Sequence, residues 1–269
     1  MNEVLRPAQV HVVDLGQGPR AMLALHCTMA YSGAWKGVAR ALEGQARITA
    51  FDLPGHGQSA DWDGQGDLVD HVAGIGRGLL GAPMDVIGHS FGAVAALRIA
   101  LTRPDRVRTL TLVEPVLMGL ARDTPEFALH EADSAPMWPL LDAGDVEGAA
   151  RHFNAMWATE KSPAWEDLPE NTRRGMIRAF PLVGQSHPAL YDDAADLYGP
   201  GRLESLTCPV LLIEGADTHP IIGRIIARLS ARIPDCDTCT IPGAGHMVPI
   251  THPVRTAAAI RAFLDRHPV

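Results

Sequence analysis

The pentapeptide Gly88-His89-Ser90-Phe91-Gly92 constrains this chain more than any other feature, because of what flanks it. Met84-Asp85-Val86-Ile87 before it is a short β-prone run. The stretch 93–101 after it, rich in alanine, reads as a buried helix. Strand, sharp turn and helix are the setting that a nucleophile elbow needs. Glycines two residues either side of the serine let the backbone turn tightly and keep side chains away from neighbouring chain. Such a turn presents Ser90 at the carboxyl edge of a sheet, with a helix amino terminus behind it.

The rest of the chain supplies the sheet. Short apolar runs at residues 10–14, 21–25, 48–51, 84–87, 107–113, 210–213 and 237–241 each end at a polar or glycine-rich loop. Helical patterns lie between them at 67–80, 93–101 and 221–233, and a last one runs from about 253 to 265. Alternation of this kind predicts an α/β fold, a mostly parallel sheet with helices on both faces. The stretch 118–202 breaks the alternation, with no strong strand. Within it Val146, Ala149, Ala150, Phe153 and Trp157 keep helical spacing behind Asp145 as N-cap. It is expected to be a helical insertion, leaving residues 1–117 and 203–269 as the core domain. Trp138, Trp157 and Trp165 fall inside it, either as its own small core or as walls of an apolar pocket over Ser90.

Composition narrows the partners. The chain has 269 residues and a formal charge of −8, with no basic run, so nothing favours nucleic acid. No apolar run approaches bilayer length, and Met1-Asn2-Glu3-Val4-Leu5-Arg6 lacks the basic-then-apolar pattern of a secretory signal. A cytoplasmic enzyme without a membrane partner is expected. Cys236 and Cys239 have C-x-x-C spacing, but in a strand residues three apart point to opposite faces. With no second pair to complete a zinc site, no metal is expected, and Cys27, Cys208, Cys236 and Cys239 are read as free thiols.

A serine hydroxyl needs a base to take its proton. Among 12 histidines, position selects His246, in the loop Pro242-Gly243-Ala244-Gly245-His246-Met247 between the last strand and the last helix. His89 inside the elbow and His56 in a turn are assigned structural roles. An imidazole base of ordinary basicity predicts activity that rises with pH through roughly 6–7.

Asp52-Leu53-Pro54-Gly55-His56-Gly57-Gln58-Ser59, the elbow and Gly243-Ala244-Gly245-His246, in that order, resemble the α/β-hydrolase superfamily over nearly the whole chain. The resemblance implies the α/β-hydrolase fold, with 118–202 as its helical cap or lid. It implies Ser90 as nucleophile, His246 as general base and an oxyanion hole from the Phe91 amide and one in the loop His26-Cys27-Thr28-Met29. That loop has Cys27 where the family usually has glycine, and Thr28 or Cys27 is the second donor. The family usually takes its acid three residues beyond a glycine after the strand at 210–213, where Thr218 stands here; Asp217 comes one residue early. A minority uses the end of the preceding strand, which here carries Glu114. Glu114, at the active edge of the sheet, is preferred, and Asp217 is kept. His26, Met29, Trp138, Trp157 and Met247 are expected around the substrate.

The chemistry implied is that of a cofactor-free serine hydrolase acting on a small carboxylic ester, a lactone or a thioester. A triad-retaining ligand-binding receptor with slow turnover, or a lyase or carbon–carbon hydrolase of the same fold, are the alternatives. The partner expected is a small ester-like molecule, and a homo-oligomer is left open.

Overall fold

A computed structural model describes residues 9–269, so the amino-terminal hexapeptide read for a targeting signal lies outside the described residues. Seven strands form one sheet: β1 (Val12–Leu15), β2 (Arg20–Leu25), β3 (Ala46–Phe51), β4 (Met84–His89), β5 (Val107–Val113), β6 (Val210–Gly215) and β7 (Cys236–Ile241). Their order across the sheet is β1-β3-β2-β4-β5-β6-β7. Every pairing from β3 to β7 is parallel, whereas β1 runs antiparallel to β3. β1 is the edge strand and alternates between exposed and half-buried residues, unlike the buried runs within the sheet.

Six helices belong to this layer: α1 (Lys36–Ala41), α2 (Leu68–Leu79), α3 (Phe91–Thr102), α9 (Pro220–Ser230), α10 (Val248–Thr251) and α11 (Pro253–Arg266). The strand period of two sorts their partners. Leu23, Leu25, Val86, Leu110, Leu112 and Leu212 pack with residues of α2, α3 and α9, such as Val72, Val94 and Ile225. Met22, Ala24, Ile87, Val113, Leu211 and Ile213 face the other way, onto Trp35, Val38, Ile260 and Phe263 of the α1 and α11 side. The sheet is therefore covered on both faces, and its strands read as continuous apolar runs for that reason. In β7, Cys236 meets the first layer and Cys239 the second, so the C-x-x-C pair is split across the sheet and all four cysteines are free.

Between β5 and β6 the chain forms five helices: α4 (Pro125–Ser134), α5 (Met137–Asp142), α6 (Val146–Met156), α7 (Glu170–Ala179) and α8 (Pro181–Tyr191). Asp145 caps α6, its carboxylate accepting from the Gly148 amide at 2.9 Å. Met137, Ala149, Ala150, Trp165, Met176 and Phe180 make a separate small core within these helices. Trp157 does not join it; it packs with the main core. Among the described residues no helix is long and apolar enough to cross a membrane.

The topology also locates a crevice. From β2 the chain moves outward to β3 and then returns to place β4 on the other side of β2. The loops after β2 and β4 leave the sheet in opposite directions there, and ligands of open α/β sheets bind at the carboxyl ends of such a switch point.

Candidate active site

Ser90 stands at that switch point, between β4 and α3, with φ 55° and ψ −119°. A non-glycine residue in this region is strained, and the surroundings hold it there. The Ser90 amide donates to the Val113 carbonyl of β5 at 2.9 Å. Both flanking glycines are required by close approach. A Cβ on Gly88 would lie 2.2 Å from the Gly92 carbonyl oxygen, and one on Gly92 would lie 2.4 Å from the carbonyls of Leu25 and His26. The elbow thus wedges α3 against the end of β2.

His246 sits in the loop after β7. Its Nε2 is 2.9 Å from Ser90 Oγ, and its Nδ1 is 2.9 Å from Glu114 Oε2. His89 braces this loop from below, donating its Nε2–H to the His246 carbonyl at 2.8 Å. The indole of Trp157 stacks on the imidazole, with ring centroids 4.2 Å apart. Burial lowers the His246 pKa, so the ring stays neutral below the pH expected of an ordinary histidine. A base buried in this way moves the expected inflection below 6–7.

Glu114 follows β5 directly, fully buried, with φ 52°. Its amide donates to the Ile213 carbonyl at 2.8 Å. Oε1 accepts from the Gly215 amide and Oε2 from the Thr218 hydroxyl, each at 2.6 Å. Burial pushes its carboxyl pKa up, while the Thr218 hydroxyl and the Gly215 amide pull it back down. Asp217 is exposed, and its amide is tied to the Ala244 carbonyl at 2.8 Å. It is Glu114, and not Asp217, that the structure brings to the imidazole. Thr218, which sequence reasoning treated only as the vacated acid position, supports that carboxylate; the vacancy itself was the signal.

The loop after β2 is held by two histidines. His26 Nε2 accepts from the Leu53 amide at 2.9 Å and its Nδ1–H donates to the Cys27 carbonyl at 2.8 Å. His56 Nε2 accepts from the Met29 amide at 3.0 Å and its Nδ1–H donates to the Pro54 carbonyl. Both ring nitrogens of each are occupied, so these are bracing residues. Asp52 fixes the adjoining loop by accepting from the amides of Ser32 at 2.7 Å and Gln58 at 2.9 Å.

Over Ser90 lies a cavity open to solvent, walled by Thr28 and Phe91 on one side and by α4, α5, α6 and α8 on the other. Trp138 and Trp157 are on its wall; His26, Met29 and Met247 are not. His26 is turned inward to brace the loop, Met29 packs with the small helical core, and Met247 precedes α10. Cys27 is likewise off the wall, and burial raises its thiol pKa to about 12. Phe91 is the first residue of α3, where a helix amide has no partner within the helix. His130, Ser134, Ser186, His187 and Tyr191 also line the cavity. Sequence reasoning missed them, since nothing local marks a histidine on α4 as facing a tyrosine on α8.

An elbow serine, a histidine after the last strand and a buried carboxylate at the switch point of a doubly covered sheet define a class, the α/β hydrolases. The family model described as "Alpha/beta hydrolase family" matches residues 22–259, and the chain belongs to that family. It is similar to a pimeloyl-[acyl-carrier protein] methyl ester esterase of Methylococcus capsulatus, at 31% identity over 93% of this chain and 96% of the relative. It is also similar to lipase LipV of Mycobacterium tuberculosis, at 28% identity over 95% of this chain and 97% of the relative. Among solved structures, a thermophilic esterase from Thermogutta terrifontis superposes with a TM-score of 0.72 at 23% identity, covering 96% of this chain and 94% of that one, a likeness of fold. The chain is an enzyme of the carboxylic ester hydrolase class.

Proposed function

We propose that the protein cleaves a small carboxylic ester through an acyl-enzyme on Ser90, without a cofactor. The observation that carries this reading is the unbroken hydrogen-bond chain from Ser90 Oγ through both nitrogens of His246 to Glu114, with 2.9 Å in each link. Ser90 Oγ bonds to the ester carbonyl carbon while its proton passes to His246 Nε2. Nε2–H then protonates the alcohol oxygen as the carbon–oxygen bond breaks, leaving the acyl-enzyme. A water next gives its proton to Nε2 and its oxygen to the acyl carbon, and Ser90 departs reprotonated as the free acid forms. Glu114 accepts from Nδ1–H throughout, which keeps the Nε2 lone pair toward Ser90 and stabilises the imidazolium.

The amides of Phe91 and Thr28 are the proposed oxyanion donors, since both residues wall the cavity at Ser90 and Cys27 does not. A donor of this kind contributes about 3–4 kcal/mol to the transition state. Lactones and thioesters fit the same steps. The names of the curated relatives, an esterase and a lipase, support an ester over other carbonyl substrates.

The test is a panel of esters, lactones and thioesters, with mass spectrometry of Ser90 adducts. Steady turnover with a trapped acyl-serine is expected, and Ser90→Ala should abolish both turnover and fluorophosphonate labelling while leaving the fold intact. Arrest at one equivalent of product would indicate a receptor. Turnover with no serine adduct would indicate a lyase.

A further inference from the structure

The cavity contains one polar pair that the proposed reaction does not use. His130 of α4 and Tyr191 at the end of α8 both line it, and His130 Nε2 lies 2.8 Å from the Tyr191 hydroxyl. His130 is 3% exposed, and its Nδ1 has no hydrogen-bond partner among the described residues. Both groups are neutral: burial lowers the His130 pKa to about 4, helped by nearby His219, and burial raises that of Tyr191. A neutral imidazole carries one N–H and a phenol one O–H. The bond between them uses one of these two hydrogens. Whichever group donates, the pair keeps a second donor hydrogen without an acceptor. A buried donor left unmet costs about 1–3 kcal/mol, and a ligand that supplies an acceptor recovers part of it.

The surroundings define the acceptor. Ser134 and Ser186 on the same wall direct their hydroxyl hydrogens to the carbonyls of Glu131 and Val183. Among the described residues no lysine or arginine lines the cavity. A carboxylate would be desolvated there without a cation, which is costly, whereas a ketone, ether or hydroxyl oxygen is not. The position is also defined. The Trp157 indole lies against both His246 at 4.2 Å and His130 at 5.7 Å between ring centroids, so the pair and the imidazole share that indole as a neighbour.

We propose that His130 and Tyr191 form a recognition site that selects esters carrying a second, uncharged oxygen acceptor several bonds from the scissile carbonyl. This rests on the cavity's being the ester site of the proposed function. The test compares straight-chain esters with keto-, ether- and carboxylate-bearing counterparts of equal length. In the wild type, kcat/KM should favour the keto or ether ester over the plain one by about tenfold, the effect of one hydrogen bond of ordinary strength. The carboxylate counterpart should be poorer than the keto ester. Because each partner keeps its own hydrogen, His130→Phe and Tyr191→Phe singly should retain part of the ratio, and the double variant should bring it to about one.

A second measurement needs no substitution at the pair. Ser90→Ala should bind the keto ester more tightly than the plain ester by calorimetry. A wild-type preference for the plain or carboxylate ester would overturn the proposal, as would a double variant with the wild-type ratio. If no ester turns over but the binding preference holds, the ester reading falls and the recognition site stands.

Discussion

Acid should unfold this protein unusually early, and the cause is its buried histidines. His26, His56, His89 and His130 are all buried and lie outside the Ser90–His246–Glu114 chain. Burial lowers His26 and His89 to about 3, and His56 and His130 to about 4. In the unfolded chain each returns to 6.5, so between these values the unfolded state binds more protons. The sign follows: their neutral packing is without penalty above 6.5, and stability is lost as pH falls below it. At pH 5 each contributes a loss of about 2 kcal/mol, and the four together about 8 kcal/mol. That matches the roughly 5–15 kcal/mol by which domains are stable at all, so a transition near about pH 5 is expected. Burial shifts Glu114 up and His246 down, and the two offset each other in this balance. Asp85, paired with Arg20 and Arg108, lies below its ordinary carboxylate value and enters only at lower pH. The assay is urea denaturation at several pH values, followed by tryptophan fluorescence and circular dichroism. Near pH 6 the unfolding free energy should fall by about 4 kcal/mol per pH unit, and His89→Gln should reduce that slope to about 3, whatever it does to absolute stability. A slope of about 1 kcal/mol per unit or less, or one unchanged in the variant, would refute the reasoning.

Three further outcomes concern the site. Glu114→Gln should lower kcat by orders of magnitude, up to about 10⁴ as for loss of a triad acid elsewhere, while Asp217→Asn stays within a few-fold; the reverse order in steady-state rates would reassign the acid. Thr218→Val removes one donor from the Glu114 carboxylate at 2.6 Å and should cost about tenfold in kcat, with Thr218→Ser close to wild type; equal rates in both variants would show that the hydroxyl does not support Glu114. The kcat/KM–pH profile should have its acid inflection below 6.5, because burial lowers His246, and Trp157→Ala, which opens that ring to water, should move it upward; an inflection at or above 7 in the wild type would contradict the burial argument.

What was legible in the sequence was local. The elbow could be read because it demands a fixed pattern within five residues: a Cβ at Gly88 would meet the Gly92 carbonyl, and one at Gly92 would meet the carbonyls of Leu25 and His26 on β2 and its loop. Strands buried on both faces were legible as apolar runs, and β5 was bounded correctly at Val107–Val113. The short helix α1 was missed, since six residues give too little periodicity to register. β1 was read among the strands of a mostly parallel sheet, but direction is not written in an edge strand of four residues.

The acid was ambiguous for a physical reason that the register of β5 and β6 now makes clear. Val113 pairs with Ile213, so the segments that follow β5 and β6 leave the sheet at the same edge, the first carrying Glu114 and the second Asp217. Reach and anchoring then decide. Glu114 is fixed by its amide on Ile213 and extends one methylene further, to meet the Gly215 amide, the Thr218 hydroxyl and the imidazole together. Asp217 has its own amide committed to Ala244 and leaves its side chain in solvent. Returning the acid to the β6 loop therefore takes more than an aspartate at 218. The substitution removes the Thr218 hydroxyl but leaves Glu114 its bonds from the Gly215 amide and the imidazole, so Thr218→Asp alone should place two carboxylates against one imidazole and raise the pKa of one of them. With Glu114→Gln in the same chain that repulsion is gone, and the pair of substitutions should recover part of the rate that Glu114→Gln loses. A double variant no faster than Glu114→Gln would show that the loop backbone, and not the choice of side chain, excludes the acid from position 218.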